Sequence, residues 1–117
     1  MPAGHIEGEG KKMKLYTIYV GLNDKDSKKQ ETETGAAVAI VAEILYKYVD
    51  GATISEARGI YTHDDGIKII EKTIRAEVLD FDGSAGEAIR AAALEIKKAL
   101  NQESIALQAQ EIESELI

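Results

Sequence analysis

The sequence predicts one α+β domain, with four strands in a single antiparallel sheet and two helices covering one face of it. Three observations carry this expectation. Apolar residues recur with period two in four stretches and with helical spacing in two others. The two helical stretches flank a long segment with a tight-turn signal, Asp65-Gly66, at its centre. A chain of 117 residues, 44% hydrophobic and 30% charged, suits one hydrophobic core and not two. The domain is expected over 13–117, behind a loose Gly-rich tail over 1–12.

The first strand is expected over 14–22. Tyr16, Ile18, Val20 and Leu22 alternate with Leu15, Thr17, Tyr19 and Gly21, and both sets are apolar enough for a central position. Residues 23–30 form a polar loop. The spacing of Val38, Val41, Ile44, Leu45 and Tyr48 then predicts a helix over 34–49. Thr32 or Thr34 is its expected N-cap, Glu31 and Glu33 suit the positive end of its dipole, and Gly51 is its expected left-handed stop.

The middle of the chain reads as a long hairpin, 52–62 returning over 67–81. With Asp65-Gly66 as a two-residue loop, Asp64 faces Ile67 and the pairs follow by counting. One face then carries Thr53, Ser55, Ala57, Gly59 and Tyr61 opposite Val78, Ala76, Ile74, Lys72 and Ile70, a largely small and apolar surface for helices. The other pairs Ile54 with Glu77, Glu56 with Arg75, Arg58 with Thr73 and Ile60 with Glu71. Opposite charges facing one another contribute roughly 0.2–1 kcal/mol each. Lys72 is the misfit on the apolar face.

A second helix is expected over 85–100. Ser84 and Glu87 have capping-box spacing, and Ala85, Ile89, Ala92, Ile96 and Ala99 or Leu100 form its inward stripe. Asn101 is the expected left-handed cap. The period returns to two from Ile105 for a last strand. Strand, helix, strand, strand, helix, strand, joined by right-handed crossovers, is the ferredoxin-like arrangement.

Composition excludes several functions. The net charge is −7 and the pI about 4.8, which argues against a nucleic-acid groove. Absent cysteine removes disulfides and thiol chemistry and suits a cytoplasmic protein. The longest apolar run, 36–45, is too short for a membrane span and contains Glu43, and no secretory pattern is visible. No P-loop or nucleophile elbow is present. His5 lies in the tail, and His63, Asp64 and Asp65 read as a turn rather than a metal site. Neither cofactor nor metal is expected.

The ordered set Leu15-Tyr16 through Gly21-Leu22, Asp50-Gly51-Ala-Thr-Ile54, Gly59-Ile-Tyr61, Gly66, Glu71 and Asn101-Gln-Glu-Ser104 resembles a bacterial family of small proteins of unknown function. The likeness covers nearly the whole chain from Lys14 onward. Tyr61 stands where such proteins commonly have Trp, and Ala52 where a larger apolar residue is expected. The resemblance implies the same fold and a place on phages or other mobile elements.

Two groups of residues are candidates for binding. Glu56, Arg58, Glu71, Thr73, Arg75 and Glu77 form the expected polar sheet face, bordered by Ile54, Ile60, Ile69, Leu79, Leu15 and Tyr19. Asn101 and Gln102 offer amides at the sheet end. An apolar rim around a charged centre suggests burial by another copy, a homo-oligomer. The leading reading is a non-enzymatic module binding a small molecule or a protein. A second is a small enzyme with an inter-subunit pocket, Glu71 or Glu77 its general base and Arg58 or Arg75 holding an anion. A third is a structural subunit of a larger assembly.

Overall fold

The computed structural model describes residues 10–117; positions 1–9 of the tail expected over 1–12, His5 among them, lie outside the described residues. The elements are β1 (Lys11–Gly21), α1 (Thr34–Tyr48), β2 (Thr53–Thr62), β3 (Lys68–Asp80), α2 (Gly86–Ala99) and β4 (Ala106–Ser114). The strands form one antiparallel sheet in the order β2-β3-β1-β4. The expected ferredoxin-like arrangement is present, with β1 central. β1 starts at Lys11, ahead of the expected boundary at 13, because Lys11 and Lys12 pair with Ser114 and Glu113 of β4.

One sheet face makes the core. Ile18, Val20 and Leu22 of β1 and Ile74, Ala76 and Val78 of β3 are buried against Ala37, Val41, Ile44 and Leu45 of α1 and Ile89, Ala92, Ala93 and Ile96 of α2. Branched aliphatic side chains fill this layer without an aromatic at its centre, as the composition requires. The helices are tied on their outer side by Glu95, which accepts hydrogen bonds from Lys47 and from the Tyr48 hydroxyl at 2.8 Å. The Lys47 ammonium, and then the Tyr48 hydroxyl, hold the Glu95 carboxyl below the usual carboxylate range.

The helix ends differ from expectation. Glu33 precedes α1 and Ala85 precedes α2, and neither start has a side-chain cap. Ser84 is instead held by Asp82, to which it donates both N–H and hydroxyl, while Asp80 accepts from the Ala85 N–H. α1 ends at an extended Val49 rather than at a left-handed Gly51. Among the described glycines only Gly66 and Gly83 take positive φ. Asn101 has the expected left-handed backbone, φ 47°.

The hairpin register is one residue away from the expected one. A two-residue loop needs positive φ at both Asp65 and Gly66, and only Gly66 has it, at 85°. The chain forms a three-residue loop instead. His63 donates to Ile67 O and Gly66 donates to His63 O, both at 2.8 Å, while Asp65 Oδ1 accepts from the Ile67 N–H. Thr53 therefore faces Glu77, Ser55 faces Arg75, Gly59 faces Glu71 and Tyr61 faces Ile69. Since side chains alternate, the slip exchanges the faces of β2 relative to β3. Ile54, Glu56, Arg58 and Ile60 lie on the side of the helices, and Thr53, Ser55, Ala57, Gly59 and Tyr61 lie on the open side. Past the helices the ribbon is exposed, so Ile60 and Ile70, directly paired, remain in solvent along with Lys72.

The turn geometry makes a comparison testable. Gly66→Ala is expected to lower stability by about 1–2 kcal/mol, the order of the left-handed penalty for an L-residue. Gly51→Ala has open space around its Cβ and no positive φ, so it should leave denaturant unfolding unchanged or shift it slightly upward.

Candidate functional site

The open face of the sheet ends in a cleft of about 300 Å³ where the end of β1, the β2–β3 ribbon and the segment after α2 meet. Its wall includes the carboxylates Asp24, Glu71 and Glu103, the lysines Lys25 and Lys28, and Asn23, Tyr61, His63 and Gln102. Each is placed by a local feature of the chain. Tyr61 is on the open face because of the three-residue turn. Glu71 lies opposite Gly59, and Gln102 follows the left-handed step at Asn101.

Glu71 is held both by a hydrogen bond and by close packing against backbone. Its Oε2 accepts from the Asn23 N–H at 2.9 Å. A Cβ placed at Gly21 would overlap its carboxylate, and one placed at Gly59 would lie 3.8 Å from its Cγ and 3.0 Å from Thr73 Oγ1. Bare backbone on β1 and β2 thus forms a trough in which the Glu71 side chain lies. Glycine inside a strand weakens it and marks close approach of another group; here that group is a carboxylate.

Tyr61 shares the cleft with Glu71 and Glu103. Burial first, then the charges of Glu71 and Glu103, raise its hydroxyl above the ordinary tyrosine value. It is a protonated phenol, a hydrogen-bond donor among acceptors, throughout the neutral range. At the cleft floor Gln102 is buried, 7% exposed, and its Nε2 donates to Asn23 O at 3.0 Å and Leu100 O at 3.1 Å. Asn101 Nδ2 donates to Asp24 Oδ1 at 2.8 Å and Asp26 Oδ2 at 2.9 Å. That amide, with the Ser27 and Asp26 N–H groups, holds the Asp24 carboxyl below the usual range. Three carboxylates, two lysines, one phenol and one amide give the cleft a mixed but net acidic wall, able to bind and orient a ligand that carries positive charge.

The structure divides the expected polar face. Glu71, Thr73, Arg75 and Glu77 share the open side, but Glu56 and Arg58 lie on the opposite side and are exposed. The expected Glu56–Arg75 and Arg58–Thr73 pairs are therefore absent. Arg75 instead donates to Ser55 Oγ at 3.3 Å and lies 3.8 Å from Glu77. Ile54 and Ile60 likewise leave the open face, whereas Leu15, Tyr19, Ile69 and Leu79 stay on it. The cleft joins Glu71 from the first candidate group to Gln102 from the second. Tyr61, Glu103 and Asp24 were missed as site residues; the signal for them was the pair of strand glycines, Gly21 and Gly59.

A larger cleft, about 650 Å³, lies at the other end of the sheet beside Leu15, Tyr48, Leu79 and Phe81. Asp50, Glu77, Asp80 and Asp82 line it, and of these Asp80 and Asp82 are engaged in closing the loop before α2.

No family model matches the chain, and no curated protein matches it. Among solved structures, a phage SAM lyase in complex with S-methyl-5'-thioadenosine is similar with a TM-score of 0.66 and 22% identity, over 98% of this chain and 92% of that one. A phage SAM lyase in the apo state gives 0.68 and 24%, over 95% and 90%. B. subtilis GlnK in complex with ATP gives 0.56 and 15%, over 86% and 82%. These likenesses establish the fold, and a phage protein among them accords with the resemblance to small bacterial and phage proteins. Among the described residues no helix is long and apolar enough to cross a membrane.

Two measurements check the cleft geometry. Glu71→Gln removes one of the charges that raise Tyr61, so the Tyr61 hydroxyl should titrate at lower pH, read from tyrosinate absorbance against a Tyr61→Phe control. Gly21→Ala should drive the Glu71 carboxylate off the Asn23 N–H, seen as faster amide exchange at Asn23 with the far-UV spectrum retained.

Proposed function

We propose that this chain binds S-adenosylmethionine (SAM) in the acidic cleft and cleaves it to S-methyl-5'-thioadenosine. The observation that carries the reading is the Glu71 carboxylate, seated in its glycine trough beside Tyr61, Glu103 and Gln102. Support comes from the phage SAM lyase, whose fold the chain shares over almost its whole length.

The chemistry suits these groups. SAM is a sulfonium cation that also carries a carboxylate; Asp24, Glu71 and Glu103 outnumber Lys25 and Lys28 on the wall and favour its positive charge in a confined space. When its carbon–sulfur bond breaks, the bonding pair leaves with sulfur as a neutral thioether, which requires no proton. A lyase adds no water, so an oxygen of the substrate's own carboxylate bonds to that carbon as sulfur leaves, and the amino-acid portion departs as a lactone. The protein's task is then to orient the cation, fold it into a reactive shape and limit the access of water. In this assignment Glu71 and Glu103 hold the positive charge, and Tyr61 donates its O–H to a substrate oxygen.

The non-catalytic binding module keeps the same cleft and differs only in turnover. We include self-association in the proposal: the apolar open-face residues Leu15 and Leu79 and the exposed ribbon pair Ile60 and Ile70 suit burial by a second copy. A cytoplasmic setting and carriage by a mobile element belong to the same reading.

The test is incubation of the purified chain with SAM, followed by mass spectrometry of the products. S-methyl-5'-thioadenosine should form, and Glu71→Gln should slow its formation roughly a hundredfold, the order expected for losing one fixed electrostatic group. Glu56→Gln, on the opposite sheet face, should leave the rate unchanged. Binding without product would favour the non-catalytic module, and absence of binding would remove both readings.

A further inference from the structure

We infer that Gln102 is a specificity-determining residue of the acidic cleft, its Oε1 reading an N–H donor of the ligand. The argument rests on counting the bonds of one buried amide. Gln102 Nε2 has two hydrogens, and both have partners, Asn23 O at 3.0 Å and Leu100 O at 3.1 Å. Carbonyl oxygens only accept, so these contacts fix which side of the amide carries nitrogen. The opposite side is Oε1, an acceptor.

Oε1 has no hydrogen-bond partner among the described residues. It is also not sealed in the interior, because among the described residues no buried side-chain nitrogen or oxygen lacks a partner. Gln102 is nevertheless only 7% exposed, and it lines the cleft together with Glu71 and Glu103. Its nitrogen is anchored by two carbonyls of different segments, and on this reading the remaining oriented acceptor, Oε1, is the atom a ligand in the cleft meets. An acceptor already fixed in place loses little freedom when a ligand arrives. The carboxylates Glu71 and Glu103, with Asp24 outnumbering the wall's Lys25 and Lys28, favour a donor that carries positive charge or lies close to it.

This inference rests on the proposed ligand, which has two kinds of N–H donor, the ammonium of its amino-acid portion and the exocyclic amine of its adenine. Both offer the same chemistry to Oε1, and analogues separate them. The experiment measures binding of SAM, of its analogue lacking the ammonium, and of its inosine analogue lacking the exocyclic amine, to the intact chain and to Gln102→Met. The intact chain should bind SAM roughly tenfold or more tightly than one of the two analogues, and the analogue that loses affinity identifies the donor. In Gln102→Met that ratio should fall towards one.

Loss of affinity for all three ligands by the same factor would assign Gln102 a purely structural role and overturn the inference while leaving the proposed ligand in place. Failure of the intact chain to bind SAM would overturn both. Should Gln102→Met not fold, the unmodified chain supplies the answer through the side-chain carbonyl ¹³C resonance of Gln102. It should shift with SAM and stay unmoved with the analogue lacking the donor; identical shifts with all three ligands would overturn the inference.

Discussion

The acidic end of the sheet depends on the register of the β2–β3 hairpin, and that register depends on three residues. Asp64, Asp65 and Gly66 close the loop between His63 and Ile67, with positive φ at Gly66 alone. A loop shorter by one residue would send Tyr61 and Gly59 to the helical side of the sheet. Glu71 would then lie opposite Ile60 instead of a bare glycine backbone. The carboxylate's position therefore derives from backbone geometry some distance along the ribbon. Within the strands, period-two alternation carries that choice to every side chain as far as Thr53.

Most of the architecture was legible because burial imposes periodicity. The run from Tyr16 to Leu22 and the stripes Val41, Ile44, Leu45 and Ile89, Ala92, Ile96 identify core faces whichever residue begins each element. The hairpin was legible as a hairpin but not in its register. Asp65-Gly66 is compatible with two loop lengths, and charge complementarity, Glu56 against Arg75, favoured the wrong one. Exposed ion pairs are worth too little to set a register. Packing of Ile74, Ala76 and Val78 under the helices orients β3, and the Asx-type bond from Ile67 to Asp65 supports the longer loop.

The candidate site was only half visible for a related reason. Glu71 and Gln102 each stood out as polar residues near strand ends, but 31 positions of chain separate them and no local pattern links them. What brings them together is the pairing of β1 with β3, which sets Asn23 beside Glu71, and the reach of Gln102 across to Asn23 O. Asn23 thus offers its N–H to one side chain and its carbonyl to the other. Such a bridge is a property of the sheet and not of any segment. The helices cover the central part of one face and leave the other free to carry polar groups that a two-sided core would exclude.

The glycine trough has a consequence for how such a sequence can drift. Positions 21 and 71 are not independent sites of variation, because the space a side chain would need at 21 is already filled by the glutamate. A lineage that gains even a methyl group there must first release that carboxylate. One that replaces the glutamate frees Gly21 to become an ordinary β-former, whereas Gly59 stays limited by Thr73 Oγ1. Two positions far apart in the chain are thereby expected to change together, and their joint retention in a distant relative would mark the inheritance of this cleft more specifically than overall identity does.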